Sequence, residues 1–197
     1  MITLIQQMNK MAIKIYTCEQ LFDDLYLTDE FKNNLLMEIN NYKIILNDQP
    51  GSIRYNLDGL VNTFFINIFD IQPISFFLQN FFNTSLIYIR YVRFRNPILN
   101  EGEQEFHIDW DEKSRIKRLE FFFVLDEMNI DNGCIEVMND NNVTSISTPA
   151  CSVLLFDSTI LHRGTKNTSG KQRRIVSCQL TAELMSNEQY LKEINLK

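Results

Sequence analysis

The sequence predicts a mainly β chain, a barrel or sandwich of short strands with helices packed outside it. Helical apolar spacing is confined to roughly the first 84 residues. From Ser85 onward, short aromatic and branched runs recur, and turn signals such as Asp131-Asn-Gly133 separate them. Helices first and a series of short strands after is the pattern of a β core with its helices segregated to one side.

Thr17, followed by Glu19 and Gln20, is a candidate helix cap, and Leu21, Phe22, Leu25 and Leu27 then share a face. Thr28-Asp-Glu begins a second expected helix that reaches Asn40, with Phe31, Leu35, Leu36 and Ile39 at helical spacing. Gln49-Pro-Gly-Ser52 reads as a turn. A third helix is expected from about Ile71 to Phe82, with Pro73 in its first turn, where a missing N–H costs nothing. Leu86 to Phe94 (LIYIRYVRF) alternates as a strand does, and Asn96-Pro97 ends it. Further strands are expected at 105–110, 119–125, 134–138, 152–156 and 173–180. No repeat or flexible linker divides the 197 residues, so one domain is expected over 1–197, helical over about 17–84 and β over about 85–181.

Composition narrows the function. Apolar residues make up 45% and charged residues 22%, as in ordinary globular proteins. A net charge of -6 argues against a nucleic-acid partner, which needs a basic surface. The N-terminus shows no signal-peptide pattern, and the greasiest stretch, Phe64 to Phe82, is interrupted by Asp70, Pro73 and Gln79, so no membrane span is expected. Cys18, Cys134, Cys151 and Cys178 are scattered without CxxC spacing, which points to a reducing, cytoplasmic compartment.

The chain has two histidines. His107 stands two residues before Asp109, and in a strand such neighbours share a face. His162 follows the apolar strand that ends at Asp157. Two imidazoles and a carboxylate are the donor set of a facial triad, which leaves positions open for a chelating co-substrate and O2. An isolated HxD is common by chance, but here Arg173 follows His162 by 11 residues, at the mouth of the strand IVSCQL. A guanidinium there suits a buried carboxylate partner, whereas an isolated Arg-Arg pair would ordinarily be a solvated strand start.

From Tyr91 to Cys178 the chain resembles the phytanoyl-CoA dioxygenase family of iron(II)- and 2-oxoglutarate-dependent oxygenases. The matching pieces keep the family's order: an aromatic strand ending FRNP, then FHIDW, LEFFFVLDE, DNGCI, LLFDSTILHRGTKNTSG and RRIVSC. The resemblance implies a double-stranded β-helix, or jelly roll, with the metal inside its open end. It carries over His107, Asp109 and His162 as iron ligands and Arg173 as the partner of the C5 carboxylate of 2-oxoglutarate. It also places Tyr91 and Phe122 against the co-substrate pocket, with plain core packing an equal alternative for both. Gly164 stands where some relatives have a co-substrate-binding Ser, for which Thr165 is a candidate substitute. The family's long insertion after the NG turn is replaced by VMNDNNVTS, so a small lid and an open mouth are expected.

The implied activity is oxidation, most often hydroxylation, of a C–H bond in a small-molecule substrate, with 2-oxoglutarate and O2 as co-substrates and succinate and CO2 released. Halogenating relatives carry Gly or Ala where this chain has Asp109. Trp110 is a candidate for the substrate mouth, and Lys113, Arg115, Lys117 and Arg118 form a basic loop cluster, ordinarily just solvated. Two alternatives remain at the level of sequence: a jelly-roll binding module without turnover, and a metal oxygenase that does not use 2-oxoglutarate.

Overall fold

The computed structural model describes residues 13–16, 33, 35–37, 39, 44–45, 52–56, 68–97, 99–100, 102–109, 116–184 and 190–196. These residues form two antiparallel sheets. The larger contains β1 (Lys14–Tyr16), β2 (Ile44–Ile45), β3 (Ser52–Asn56), β4 (Leu86–Pro97), β5 (Arg118–Val124), β8 (Ser152–Asp157) and β10 (Ile175–Thr181), in the order β1-β8-β5-β10-β4-β3-β2. Its eighth strand, β11 (Lys192–Asn195), pairs with β4. The smaller sheet has the order β7 (Asn142–Ile146), β6 (Ile135–Asn139), β9 (His162–Gly164). The architecture is a jelly roll, mainly β with flanking helix.

Helix α1 (Gln72–Phe82) has Pro73 in its first turn and ends at Asn83, whose φ of 56° stops helical propagation. It buries Ile74, Leu78 and Phe82, four residues apart, against one face of the large sheet. That face presents Val92, Phe94, Leu119, Phe121, Phe123, Leu155, Val176 and Cys178, and Phe69 stands edge-on to Phe121 at 5.1 Å. The other face lies inside the roll, where Phe122, Val124, Leu154, Phe156 and Ile175 meet Ile135, Val137 and Ile146 of the small sheet. Strand β5 is therefore buried on both faces, which explains its nearly unbroken apolar run.

Several elements differ from the sequence expectations. The expected strand at 105–110 is irregular through 109, apart from one bridge between His107 and His162. Its backbone donors change partners too often for a ladder: Gln104 bonds Gly164, His107 bonds His162, and Asp109 bonds Ser158. Strand β10 starts at Ile175 rather than Arg173, because the Arg173 and Arg174 amides donate to the side chains of Asn96 and Asp126. The chain after the NG turn forms a full hairpin, β6–β7, through Asp140 and Asn141 at φ 48° and 65°. Paired left-handed residues suit a two-residue hairpin turn, and Asp and Asn tolerate them. Strands β1, β2, β3, β9 and β11 were not anticipated, and Ser52, expected in a turn, begins β3. Residues 33, 35–37 and 39 are helical, as expected, whereas the helix expected from Thr17 to Leu27 lies outside the described residues.

The NG turn packs closely against the chain leaving β9. Gly133 has φ +94°, and a Cβ there would lie 2.7 Å from the Thr165 carbonyl oxygen, a backbone atom with little freedom to move. Gly133→Ala should therefore lower stability by about 1–3 kcal/mol. Thermal or denaturant unfolding measures this, and an unchanged melting temperature would contradict the packing described.

Candidate metal centre

The site is assembled where β8 hands over to β9. Asp157 Oδ1 accepts the Thr159 amide at 2.9 Å, turning the chain, and His162 opens β9. The 102–109 segment is laid beside it. His107 and His162 exchange both backbone hydrogen bonds, each 2.9 Å, and the Asp109 amide donates to the Ser158 carbonyl at 3.0 Å. Arg163 acts as a buckle: it pairs with Glu136 at 2.8 Å and Glu103 at 3.5 Å, and lies 4.7 Å over the Phe106 ring.

This geometry brings His107, Asp109 and His162 together. The Asp109 carboxylate oxygens stand 3.6 Å from His107 Nε2 and 3.4 Å from His162 Nε2. One donor atom from each residue lies within 4.8 Å of the others. Each imidazole also meets a carbonyl at Nδ1: Glu105 at 2.8 Å for His107, and Ile160 at 2.9 Å for His162. A proton on Nδ1 leaves the Nε2 lone pair free toward the centre of the triad, the arrangement a neutral imidazole needs to ligate a metal. His162 is buried and flanked edge-on by Phe156 at 4.9 Å, whereas His107 and Asp109 are half-exposed, so the triad opens to one side.

Electrostatics couples these groups. Burial alone would raise the Asp109 carboxyl, but the hydrogen bond and charge of His162, with Arg95 and His107, outweigh it and hold the group below its ordinary range. Burial alone would lower His162, but its hydrogen bond and charge pairing with Asp109 raise it.

The two neighbouring arginines diverge. Arg173 is buried in the roll; its Nε has no partner, and one terminal nitrogen donates to Met128 Sδ at 3.8 Å. Burial, with the charge of Arg95, lowers this guanidinium to about 10. Arg174 instead grips Asp126 with two hydrogen bonds, 2.7 and 2.9 Å, which raise it.

The fold is shared with HygX. That protein of Streptomyces hygroscopicus, in a structure with nickel, 2-oxoglutarate and hygromycin B bound, has a TM-score of 0.69 and 7% identity over 94% of this chain and 88% of its own. HygX is also known with iron bound. SnoN, a non-haem alpha-ketoglutarate-dependent epimerase from nogalamycin biosynthesis, has a TM-score of 0.66 and 9% identity, covering 90% of this chain and 79% of its own. AviO1 from Streptomyces viridochromogenes Tue57 has a TM-score of 0.56 and 12% identity, with coverages of 82% and 85%. The sequence itself matches no protein-family profile and no curated protein.

The remaining candidates fall on the inner wall, at its margin or outside view. Tyr91 donates to Glu120 Oε2 at 3.0 Å, and burial raises its phenol. Phe122 stands edge-on to Phe156 at 5.3 Å inside the roll. Thr165 commits its hydroxyl to the Cys134 carbonyl at 3.0 Å. Gly164 is pressed against Gln104, whose Oε1 accepts its amide and would lie 2.7 Å from an added Cβ, so a side chain there would displace that contact. Trp110, Lys113 and Arg115 lie outside the described residues. The other two members of the basic cluster are not simply solvated: Lys117 reaches the Phe81 carbonyl, and Arg118 is buried against Gln179.

Sequence reasoning missed a buried polar layer. Glu120, fully enclosed between Leu119 and Phe121, accepts from Tyr91, from Ser158 at 3.3 Å and from Gln179 at 2.5 Å. Burial, with the nearby Asp109 charge, pushes its carboxyl up to about 7. The Ser158 hydroxyl bonds Glu120 while the Ser158 carbonyl accepts the Asp109 amide, so this layer braces the triad carboxylate. Arg95 was also missed. The signal was present in YVRFR, residues 91–95, where Tyr91, Arg93 and Arg95 alternate with Val92 and Phe94.

In the metal-free protein, the lowered Asp109 contributes stability above its unfolded value and loses it as pH falls through its folded value. The raised His162 contributes below its unfolded value and loses it as pH rises through its folded value. Their joint contribution is greatest between those limits, roughly pH 4 to 6.5. Asp109→Asn should weaken the fall in melting temperature on either side of that window in chelator; a profile parallel to wild type would argue against the coupling.

Proposed function

We propose that this chain is an iron(II)- and 2-oxoglutarate-dependent oxygenase that hydroxylates a C–H bond of a small-molecule substrate, with release of succinate and CO2. The observation that carries this reading is the pairing of a His-Asp-His triad with a buried arginine, Arg173, whose Nε has no partner. His107, Asp109 and His162 would hold the metal. Their fit rests on the donor set, on the spacing within 4.8 Å and on the Nδ1 bonds that aim both Nε2 atoms inward. Bound there, iron(II) supplies the oxygen activation that couples decarboxylation of the 2-oxo acid to oxidation of the substrate.

The chain's own residues orient the reactants. Arg173 receives the distal carboxylate, since a guanidinium fork matches a carboxylate bidentately. Phe122 and Phe156 keep the wall apolar and exclude water. The order of FHIDW, LLFDSTILHRG and RRIVSC supports the phytanoyl-CoA dioxygenase-like branch of these enzymes. One catalytic unit over the whole chain and a cytoplasmic setting complete the proposal. The thiols of Cys134, Cys151 and Cys178, none in a disulfide, suit a reducing compartment.

Anaerobic titration with iron(II) and 2-oxoglutarate tests the site, because a chelated 2-oxo acid on iron(II) gives a weak visible charge-transfer band. His107→Ala, Asp109→Ala and His162→Ala should each remove the band while leaving a folded protein. The histidine variants are decisive, because the sequence holds no third histidine. A full band in either would exclude the assignment.

Arg173→Ala should weaken 2-oxoglutarate binding by about 30- to 5000-fold, the equivalent of about 2–5 kcal/mol for one side of a buried charged pair. Arg173→Lys should lose less, because the charge survives and the planar fork does not. Arg174→Ala should change the affinity little, its guanidinium being engaged with Asp126 at the surface. The reverse order would assign the carboxylate to the wrong arginine.

A further inference from the structure

The inner wall of β4 carries more positive charge than one distal carboxylate can use. Tyr91, Arg93 and Arg95 alternate with Val92 and Phe94, and the latter two belong to the helix-side core. The first three therefore face the interior. Arg95 pairs across the sheet with Ile175, which in turn pairs with Val124, and both apolar residues line the roll. Its guanidinium sits 5.7 Å from the centre of the Phe122 ring. Phe122 abuts Phe156, and Phe156 abuts His162, so the charge stands one aromatic layer from the triad.

Arg95 has no acceptor there. Its Nε is buried without a hydrogen-bond partner, and among the described residues it forms no ion pair with Asp109 or Glu120. Its field nevertheless reaches both Asp109 and Arg173. Arg95 thus stands on the inner wall beside Ile175 and Phe122, close enough for its charge to act on both Asp109 and Arg173. Asp109 and Glu120 feel the Arg95 charge but do not bond it, and a guanidinium Nε buried without an acceptor costs free energy unless a ligand supplies one. The other cations nearby are better satisfied. Arg93 stacks on the Tyr91 ring at 4.3 Å, and Arg90 and Arg118 both donate to Gln179.

We propose that Arg95 is the second cationic contact of the co-substrate, set against the carboxylate beside the 2-oxo group, while Arg173 takes the distal carboxylate. This rests on the co-substrate reading above. A 2-oxo diacid spanning from the triad to Arg173 has an anionic group at each end, and with Arg173 on the distal one, Arg95 with its orphaned Nε is the cation left for the other. The site would then select by two independent charges: Arg95 for any 2-oxo acid, and Arg173 for a diacid.

The test is isothermal titration of nickel-loaded protein with 2-oxoglutarate and, separately, with 2-oxobutyrate, which lacks the distal carboxylate. Wild type, Arg95→Ala, Arg95→Lys and Arg173→Ala are compared, with nickel affinity alone reporting an intact triad. Arg95→Ala should weaken both acids by a similar factor, about tenfold or more for a lost charge-assisted contact. Arg173→Ala should weaken 2-oxoglutarate alone. Arg95→Lys, which keeps the charge and most of the packing, should fall between wild type and Arg95→Ala for both acids. Should Arg95→Ala lose nickel binding, the Lys variant carries the same comparison, and equal losses for the two acids are again expected. Wild-type affinity for both acids in the Arg95 variants would overturn the inference and leave the proposed function standing. Loss of 2-oxoglutarate alone in Arg95→Ala would move Arg95 to the distal carboxylate and overturn its placement. If wild type binds 2-oxobutyrate and not 2-oxoglutarate, the diacid reading fails while the Arg95 comparison still holds; if it binds neither, both fail.

Discussion

The reciprocal backbone pair between His107 and His162 is the contact on which the site depends. Two residues 55 positions apart in sequence exchange N–H···O bonds of 2.9 Å each, which places them directly opposite. Opposite residues of an antiparallel pair project to the same side, with their Cβ atoms about 4.5–5.5 Å apart. No further device is needed to bring the imidazoles together, and their ring centres stand 4.6 Å apart. Asp109 then requires only the pleat, being two residues on, and the Ser158 carbonyl that holds its amide. The same pairing explains why the 102–109 segment need not be a regular strand. One bridge sets the register, and Gln104 and Arg163 keep the segment against β9 and β6.

Behind this pair the roll separates its tasks by face. The helix-side face of the large sheet is packed with apolar side chains and supplies stability through burial. The inner face mixes aromatic rings with polar groups that cost stability. Glu120 is enclosed at a carboxyl value near 7, and Arg95 and Arg173 each bury an Nε without a partner. Ser152 Oγ, on the inner face beside Val124, is likewise buried without a partner. Polar atoms buried without partners cost free energy, and on this face they gather toward one interior. The helix-side core provides the margin that tolerates them.

Legibility in the sequence followed the same division. Strands buried on both faces, β5 and β8, and the alternating β4 could be read because burial writes itself into apolar pattern. Helix α1 was legible from Pro73 and the spacing of Ile74, Leu78 and Phe82. The short pieces were not. Three residues of β1, two of β2 and three of β9 are too few to show a period, and their strand state is set by partners distant in sequence. The β6–β7 hairpin was missed because VMNDNNVTS is polar, yet Asp140-Asn141 is a turn signal of the kind that was read correctly at Asp131-Asn-Gly133. For the site, donor chemistry and spacing singled out His107, Asp109, His162 and Arg173. Glu120 and Arg95 were passed over because a single charge inside a strand has no partner spacing in sequence that marks it as inward-facing.

Low identity to HygX and SnoN, 7% and 9%, alongside TM-scores of 0.69 and 0.66, follows from how few positions this architecture constrains. An apolar strand face accepts any set of residues of suitable volume, so most of the roll can change without moving the backbone. The site of this chain needs only a register: one hydrogen-bonded pair, a carboxylate two residues beyond its first member, and a turn that delivers the second. Those requirements fix three or four side chains among 197 residues. The rest of the inner wall is then free to vary in charge, and that wall is where this chain places Arg95, whose Nε is buried.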